Sequence, residues 1–237
     1  MEVREDRFFR GKIVILQPRR GYKFSLDAVL LSSWAILLPG EFAIELGGGF
    51  GPASIMAKFL NPQAKIISID ILEEYVRIFQ RAIKLNGFTQ IYPLLADVRK
   101  PPFNRQFSVI FSNPPYMSPY KYRVSPRRDI AVSKYEVEGK LKDFITTSYE
   151  LLDPNGKAFF IVGAERDDFS TIANKTGFKI HETMEVLDDS EVKFRLYTLT
   201  KKDLGFKKYS FQMKYGGKYT DNMEKVLSGE SIRTLIL

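Results

Sequence analysis

One set of residues has types and positions suited to ligand chemistry. The segment ELGGGFGP, residues 45–52, follows a short apolar run and carries Glu45, Gly47, Gly49 and Gly51 at every second position. Glycines let the backbone turn sharply and let a ligand lie against it, and the N–H groups of a helix starting directly afterwards face negative charge. Asp70 ends the run KIISID, where a carboxylate can accept hydrogen bonds from both hydroxyls of a ribose. Asp97 ends LLAD, and Asn113 ends FSVIFSN. Either aspartate alone could cap a following helix or turn. A polar residue at the carboxyl ends of four consecutive strands is where ligands bind in open α/β sheets. The glycine spacing is not G-x-G-x-x-G, which would place a third glycine where Pro52 stands.

After Asn113 the chain continues PPYMSPY. Two prolines fix φ and end a strand without further purpose, and asparagine before proline is a common exit from regular structure. A turn and a functional segment are both open from these residues alone.

These residues need a frame, and the hydrophobic pattern supplies one. EFAIEL, KIISID, IYPLLAD, FSVIFS and GKAFFIVG read as strands, alternating with helices at PASIMAKFL, LEEYVRIFQRAIKLN and GKLKDFITTSYELL. This rhythm predicts a parallel sheet covered on both faces. FKIHETMEVL and VKFRLYTLT are consecutive strands with a short connection, so they pair antiparallel. KKYSFQMKYGGKY alternates aromatic and polar residues as a half-buried strand does. Upstream, GKIVILQPRRGYKF reads as an extended pair reversed at Pro18 and Gly21, and SLDAVLLSSWAILL as a helix capped by Ser25 and stopped by Pro39 and Gly40. The fold class expected is α/β: a Rossmann-like doubly wound, mostly parallel seven-stranded sheet with an antiparallel hairpin near its C-terminal end. The expected divisions are an N-terminal extension over residues 1–40, a ligand-binding domain over 41–200, and a basic, aromatic strand and tail over 201–237 packed on the same domain.

Composition narrows the chemistry. The 237 residues contain no cysteine, which excludes disulfides, thiolate zinc sites and thiol catalysis. His181, the single histidine, cannot build a multi-histidine metal site and reads as a surface or packing residue, so no metal is expected. The N-terminus lacks the apolar core of a signal peptide, and the longest apolar stretch is too short for a bilayer span, which predicts a cytoplasmic protein without membrane association. The net charge of +8 is segregated. Residues 1–24 hold seven Lys/Arg against three Asp/Glu, residues 117–134 five against one, and residues 201–218 six against one, so the rest of the chain is net acidic. Segregated basicity on an acidic body suggests a polyanion footprint.

The order E-x-G-x-G-x-G, Asp70, Asp97 and N-P-P-Y resembles the class I S-adenosylmethionine-dependent methyltransferases, in particular their amino-methylating branch. The upstream GYKFSLDAVLL is similar to the N-terminal motif of the tRNA (adenine-N6)-methyltransferases that act on valine tRNA. The resemblance covers residues 21–162 and implies S-adenosyl-L-methionine as cofactor. Gly47 and Gly49 would lie under its methionine part with Glu45 orienting the loop, Asp70 would hold the ribose, and Asp97 would meet the adenine amine. Ile71 and Val98, which follow these aspartates, would share the cofactor site, and the segment with Tyr22, Phe24 and Asp27 would close over the methionine end. Phe50 stands where the family often has a small polar residue.

The resemblance also gives the proline pair a task. An exocyclic amine has its lone pair delocalised into the ring, so a site must accept its N–H groups and bias nitrogen toward attack. Asn113 would offer a side-chain oxygen, Pro114 a rigid backbone carbonyl, and Tyr116 a flat face for the acceptor's π system. Around them Arg19, Arg20, Lys121, Arg123, Arg127 and Arg128 would grip RNA phosphates. The expected reaction is methylation of adenine N6 in RNA, most readily tRNA, by a monomer or weak homodimer. The alternatives are a protein glutamine amide or rRNA guanine N2 at the same site, and a non-catalytic RNA-binding module. A nicotinamide oxidoreductase is disfavoured by the glycine spacing.

Overall fold

The alternating strands and helices assemble into a doubly wound α/β sheet in the computed structural model, which describes residues 1–115 and 125–236. An antiparallel ribbon comes first, β1 (Val3–Phe8) and β2 (Ile13–Pro18). Its reversal falls at Phe9, Arg10 and Gly11, all at positive φ, and not at Pro18 and Gly21 as the sequence suggested. Burial holds Phe9 in that conformation, its ring centroid 5.3 Å from that of Phe59.

Helix α1 (Leu26–Trp34) is shorter than its apolar run predicted. Ala35 and Leu37 are buried while Ile36 and Leu38 are exposed, and that two-residue alternation belongs to extended chain. Ser25 occupies the N-cap position, yet its hydroxyl donates to Asp27 Oδ1 at 2.8 Å and accepts no helix N–H.

The sheet is built from β3 (Phe42–Leu46), β4 (Lys65–Asp70), β5 (Ile91–Leu95), β6 (Phe107–Ser112) and β7 (Leu152–Gly163), all parallel, with the antiparallel hairpin of β8 (Lys179–Asp188) and β9 (Glu191–Thr200) beyond β7. These seven are the strands expected. Two more extend the edge: β10 (Lys207–Tyr215) pairs parallel with β8, and β11 (Lys218–Tyr219) pairs antiparallel with β10. The order is β11-β10-β8-β9-β7-β6-β3-β4-β5. Parallel pairing of β10 needs a crossover back along the sheet, which a period-two pattern does not reveal.

The helices α2 (Pro52–Leu60), α3 (Glu73–Asn86), α4 (Arg128–Lys134), α5 (Leu141–Leu151), α6 (Phe169–Thr176), α7 (Asp221–Leu227) and α8 (Arg233–Ile236) complete the chain. Side-chain alternation splits the core in two. Ala43, Phe159 and Ile161 join the cluster under α1, α2 and α3, while Ile44, Leu46, Phe160 and Val162 join the cluster under α5 and α6. The N-terminal ribbon shares the first cluster through Ile13, Ile15 and Leu16. The C-terminal tail is pinned by Arg233, which donates to both carboxylate oxygens of Glu182 at 3.0 and 2.8 Å and lies 3.5 Å over the Trp34 ring. His181 is buried, with Nδ1 2.9 Å from the Gly205 carbonyl, a packing role. Among the described residues no helix is long and apolar enough to cross a membrane, and no three His, Asp or Glu converge on a metal geometry.

Candidate active site

The carboxyl ends of β6, β3, β4 and β5 lie side by side in that order and deliver Asn113, the 47–51 loop, Asp70 and Asp97 to one cleft. The cleft takes in about 850 Å³ of space, the open solvent at its mouth included. Of the residues singled out in the sequence, Tyr22, Phe24, Glu45, Gly47, Gly49, Asp70, Ile71, Asp97, Val98 and Asn113 line it. Pro115 lines it as well, whereas Pro114 is buried beside it. Tyr116, Lys121 and Arg123 lie outside the described residues.

The loop after β3 is shaped by what surrounds it. Gly47 has φ +70°, and a Cβ there would meet the Phe144 ring at 2.8 Å. Gly51 has φ +84°, and a Cβ would run into the Phe79 ring. L side chains disfavour this φ, and packing closes the space as well. Gly47 and Gly48 donate to the Ile69 carbonyl at 2.9 and 3.0 Å, and Gly49 donates to Asp70 Oδ2 at 2.8 Å. The loop is therefore tied to β4 through backbone and carboxylate together.

Two carboxylates sit beneath it, Glu45 buried and Asp70 half-buried. Glu45 Oε2 accepts from the hydroxyls of Ser54 and Ser68, the latter at 2.9 Å, and burial raises its pKa to about 7 against the pull of those donors. Asp70 also accepts from the Leu72 N–H at 2.8 Å, and burial raises its pKa to about 6 against its backbone donors. Gly48 makes room for this arrangement, because a Cβ there would collide with Ser68 and Glu45. The every-second-residue pattern passed over Gly48.

The other expected residues divide. Asp97 is engaged by Arg99, whose guanidinium donates to both carboxylate oxygens and holds the pKa below the usual range. Asp27 does not line the cleft; it is buried, accepting from Ser25 and the Ala28 N–H in the first turn of α1. Arg127 donates to Asp129 at 3.0 Å and to the Arg20 carbonyl at 3.1 Å, and Arg128 reaches Glu138 at 3.5 Å. Arg19 donates to the Val3 carbonyl at 3.3 Å. Arg19, Arg20, Arg127 and Arg128 are exposed and line no part of the cleft.

Several lining residues were not picked out. Phe50 is buried with ring centroids 6.2 Å from Tyr22, 6.1 Å from Phe24 and 5.4 Å from Tyr75, so it joins the N-terminal segment to the glycine loop. Val132, Ser133, Glu138, Gly139 and Phe144 line the cleft as well. Their only sequence signal was proximity to α4 and α5.

Asn113 differs from every other polar group here. Its Oδ1 is shielded from solvent and has no hydrogen-bond partner among the described residues. A buried acceptor left unmet costs about 1–3 kcal/mol, and such atoms in native proteins mark function or an absent ligand.

Residues 28–188 match the family described as "Methyltransferase small domain". The chain belongs to that family. Among curated proteins it is 28% identical over 168 residues to the tRNA1(Val) (adenine(37)-N6)-methyltransferase of Vibrio cholerae, covering 70% of this chain and 69% of that one. Among solved structures, a predicted O-methyltransferase from Agrobacterium tumefaciens superposes with a TM-score of 0.69 at 19% identity, over 86% of this chain and 97% of that one. The Thermus thermophilus 16S rRNA N2 G1207 methyltransferase, solved with AdoMet and guanosine, gives 0.61 at 15% identity, over 85% and 50%. These structural likenesses establish the fold. The chain is a methyltransferase, and S-adenosylmethionine is the methyl donor that this membership implies. The cleft suits it: a carboxylate at the β4 end for ribose, a glycine loop for close approach, and an unmet acceptor at the β6 end.

Proposed function

We propose that this methyltransferase transfers the methyl group to the exocyclic N6 amine of an adenine in tRNA, at the position facing Asn113. The observation that carries this reading is the unpartnered Asn113 Oδ1 in a cofactor cleft. An acceptor in that place suits an N–H donor, and an amine brings one that must be held before nitrogen can attack. The names of the curated relatives and the +8 charge support a tRNA substrate over a protein one.

Asp70 would accept from the ribose hydroxyls, and the 47–50 loop would lie under the methionine part. Tyr22 and Phe24 would cover it, fastened by Phe50. When bound, the cofactor supplies an electrophilic methyl on a sulfonium sulfur. Asn113 Oδ1 would accept one amine hydrogen and the Pro114 carbonyl the other, turning the nitrogen lone pair toward the methyl carbon in line with the C–S bond. The N–C bond forms as the C–S bond breaks. The proton leaves after transfer, once nitrogen is cationic, so no strong base is needed beforehand. Tyr116 would stack on the base, and exposed arginines outside the cleft, Arg19 and Arg20 among them, would meet phosphates.

The test is incubation with methyl-labelled cofactor and total tRNA, rRNA or protein in parallel, followed by nucleoside analysis. N6-methyladenosine in tRNA is the expected product. Label in 2-methylguanosine or in a glutamine side chain would replace the reading.

A further inference from the structure

A second cavity lies behind the segment that covers the cofactor cleft. It holds about 790 Å³ including its mouth and is lined by the N-terminal ribbon and the start of α1. Phe24 is the residue common to the lining of both cavities.

Its wall carries one unmet polar atom. Gln17 is 3% exposed; its amide nitrogen donates to Asp6, and its Oε1 has no partner among the described residues. Arg4 and Arg7 line the mouth, Arg4 shared with Asp6 at 3.1 Å. Phe8 and Phe24, with ring centroids 5.1 Å apart, form an aromatic wall. The cavity therefore combines an excess of cations, a buried amide edge and a flat apolar surface.

Those three features match the three parts of a nucleotide. Cations meet phosphate, an amide oxygen meets a base N–H, and an aromatic wall meets a base face. Isolated inorganic anions would leave Gln17 Oε1 and the rings unused, and an apolar ligand would leave Gln17 Oε1 and the two arginines unused. We propose that this cavity is a second nucleotide subsite, holding a nucleotide close in the RNA chain to the one methylated. The inference rests on the tRNA reading above. Because Phe24 is the common wall, an RNA strand filling this subsite would press the covering segment onto the cofactor cleft.

The experiment uses the full chain and an unmodified valine tRNA transcript. Arg4→Ala/Arg7→Ala removes exposed cations from the mouth. It is expected to raise KM for the transcript about tenfold, leave kcat within twofold and the S-adenosylmethionine Kd unchanged, and lower the slope of log Kd for tRNA against log salt by about one to two. A structural role for these arginines would not move the salt slope. Gln17→Leu keeps the shape and removes a neutral contact, so KM should rise severalfold with the slope unchanged. Should Gln17→Leu fail to melt cooperatively, the arginine pair decides. Wild-type KM and slope in Arg4→Ala/Arg7→Ala, with normal transfer by the wild type, would remove the subsite alone. No transfer to tRNA by the wild type would remove both the tRNA reading and the subsite.

Discussion

The two halves of the cleft differ in how their polar groups are treated. On the cofactor half, at β3, β4 and β5, Glu45 accepts from two serines, Asp70 accepts from Gly49 and Leu72, and Asp97 is held by Arg99. On the acceptor half, at β6, Asn113 presents a buried oxygen that nothing in the described protein meets. The cofactor half is held in shape by its own bonds before any ligand arrives. The acceptor half keeps one hydrogen bond in reserve, as the role proposed for Asn113 requires.

If the contrast is real, damage to the cofactor half should appear as lost folding or lost cofactor. Gly51→Ala gives the largest expected effect. It places a Cβ at φ +84° into the Phe79 ring, and unfolding free energy should fall by about 4 kcal/mol in denaturant titration. A loss below about 1 kcal/mol would mean that the loop is not closed by packing. Next, Asp70→Ala should weaken S-adenosylmethionine about a hundredfold by calorimetry, or about 2.7 kcal/mol, while tRNA affinity stays within twofold. Binding to the wild type should follow the same carboxylate: with a pKa near 6 in the free protein, affinity should be about tenfold weaker at pH 5 than at pH 8.

Glu45 sharpens the contrast with a smaller effect. Its folded pKa, about 7, is raised by burial above the ordinary value of 4.5, so the folded state binds the proton more tightly than the unfolded one. The stability from this proton is fully present below about pH 4.5 and is lost as pH rises through about 7. Glu45→Gln removes the titration and can still accept from Ser54 and Ser68. Relative to wild type it should therefore gain up to about 2 kcal/mol between pH 5 and pH 8, read from melting curves at both pH values. A pH-independent difference would place the carboxylate in contact with solvent.

What was legible in the sequence follows the same division. Glu45, Gly47, Gly49 and Asp70 could be read because each stands at a fixed offset from an apolar run, and strand ends in a parallel sheet share one edge. The seven expected strands followed from the same periodicities. Asp27 was misplaced because an acidic residue opening a helix looks alike whether it faces a ligand or its own first turn. Arg127 and Arg128 counted as free charge in the sequence, while their acidic partners, Asp129 and Glu138, come from the fold around α4. Phe50 read as a departure, and only the positions of Tyr22, Phe24 and Tyr75 make it the fastening of the loop. The alternation over KKYSFQMKY showed β10 as a strand, while its pairing with β8 was hidden because the connection steps past a neighbour in the sheet.

The reserve at Asn113 is tested most directly by Asn113→Ala, with single-turnover methyl transfer to an unmodified valine tRNA and S-adenosylmethionine binding measured on the same preparation. Methyl transfer should fall by at least about a thousandfold, roughly 4 kcal/mol, while the cofactor Kd stays within about threefold. Retained transfer at the wild-type rate, or a cofactor Kd that collapses in parallel, would contradict the assignment of Asn113 Oδ1 to the amine.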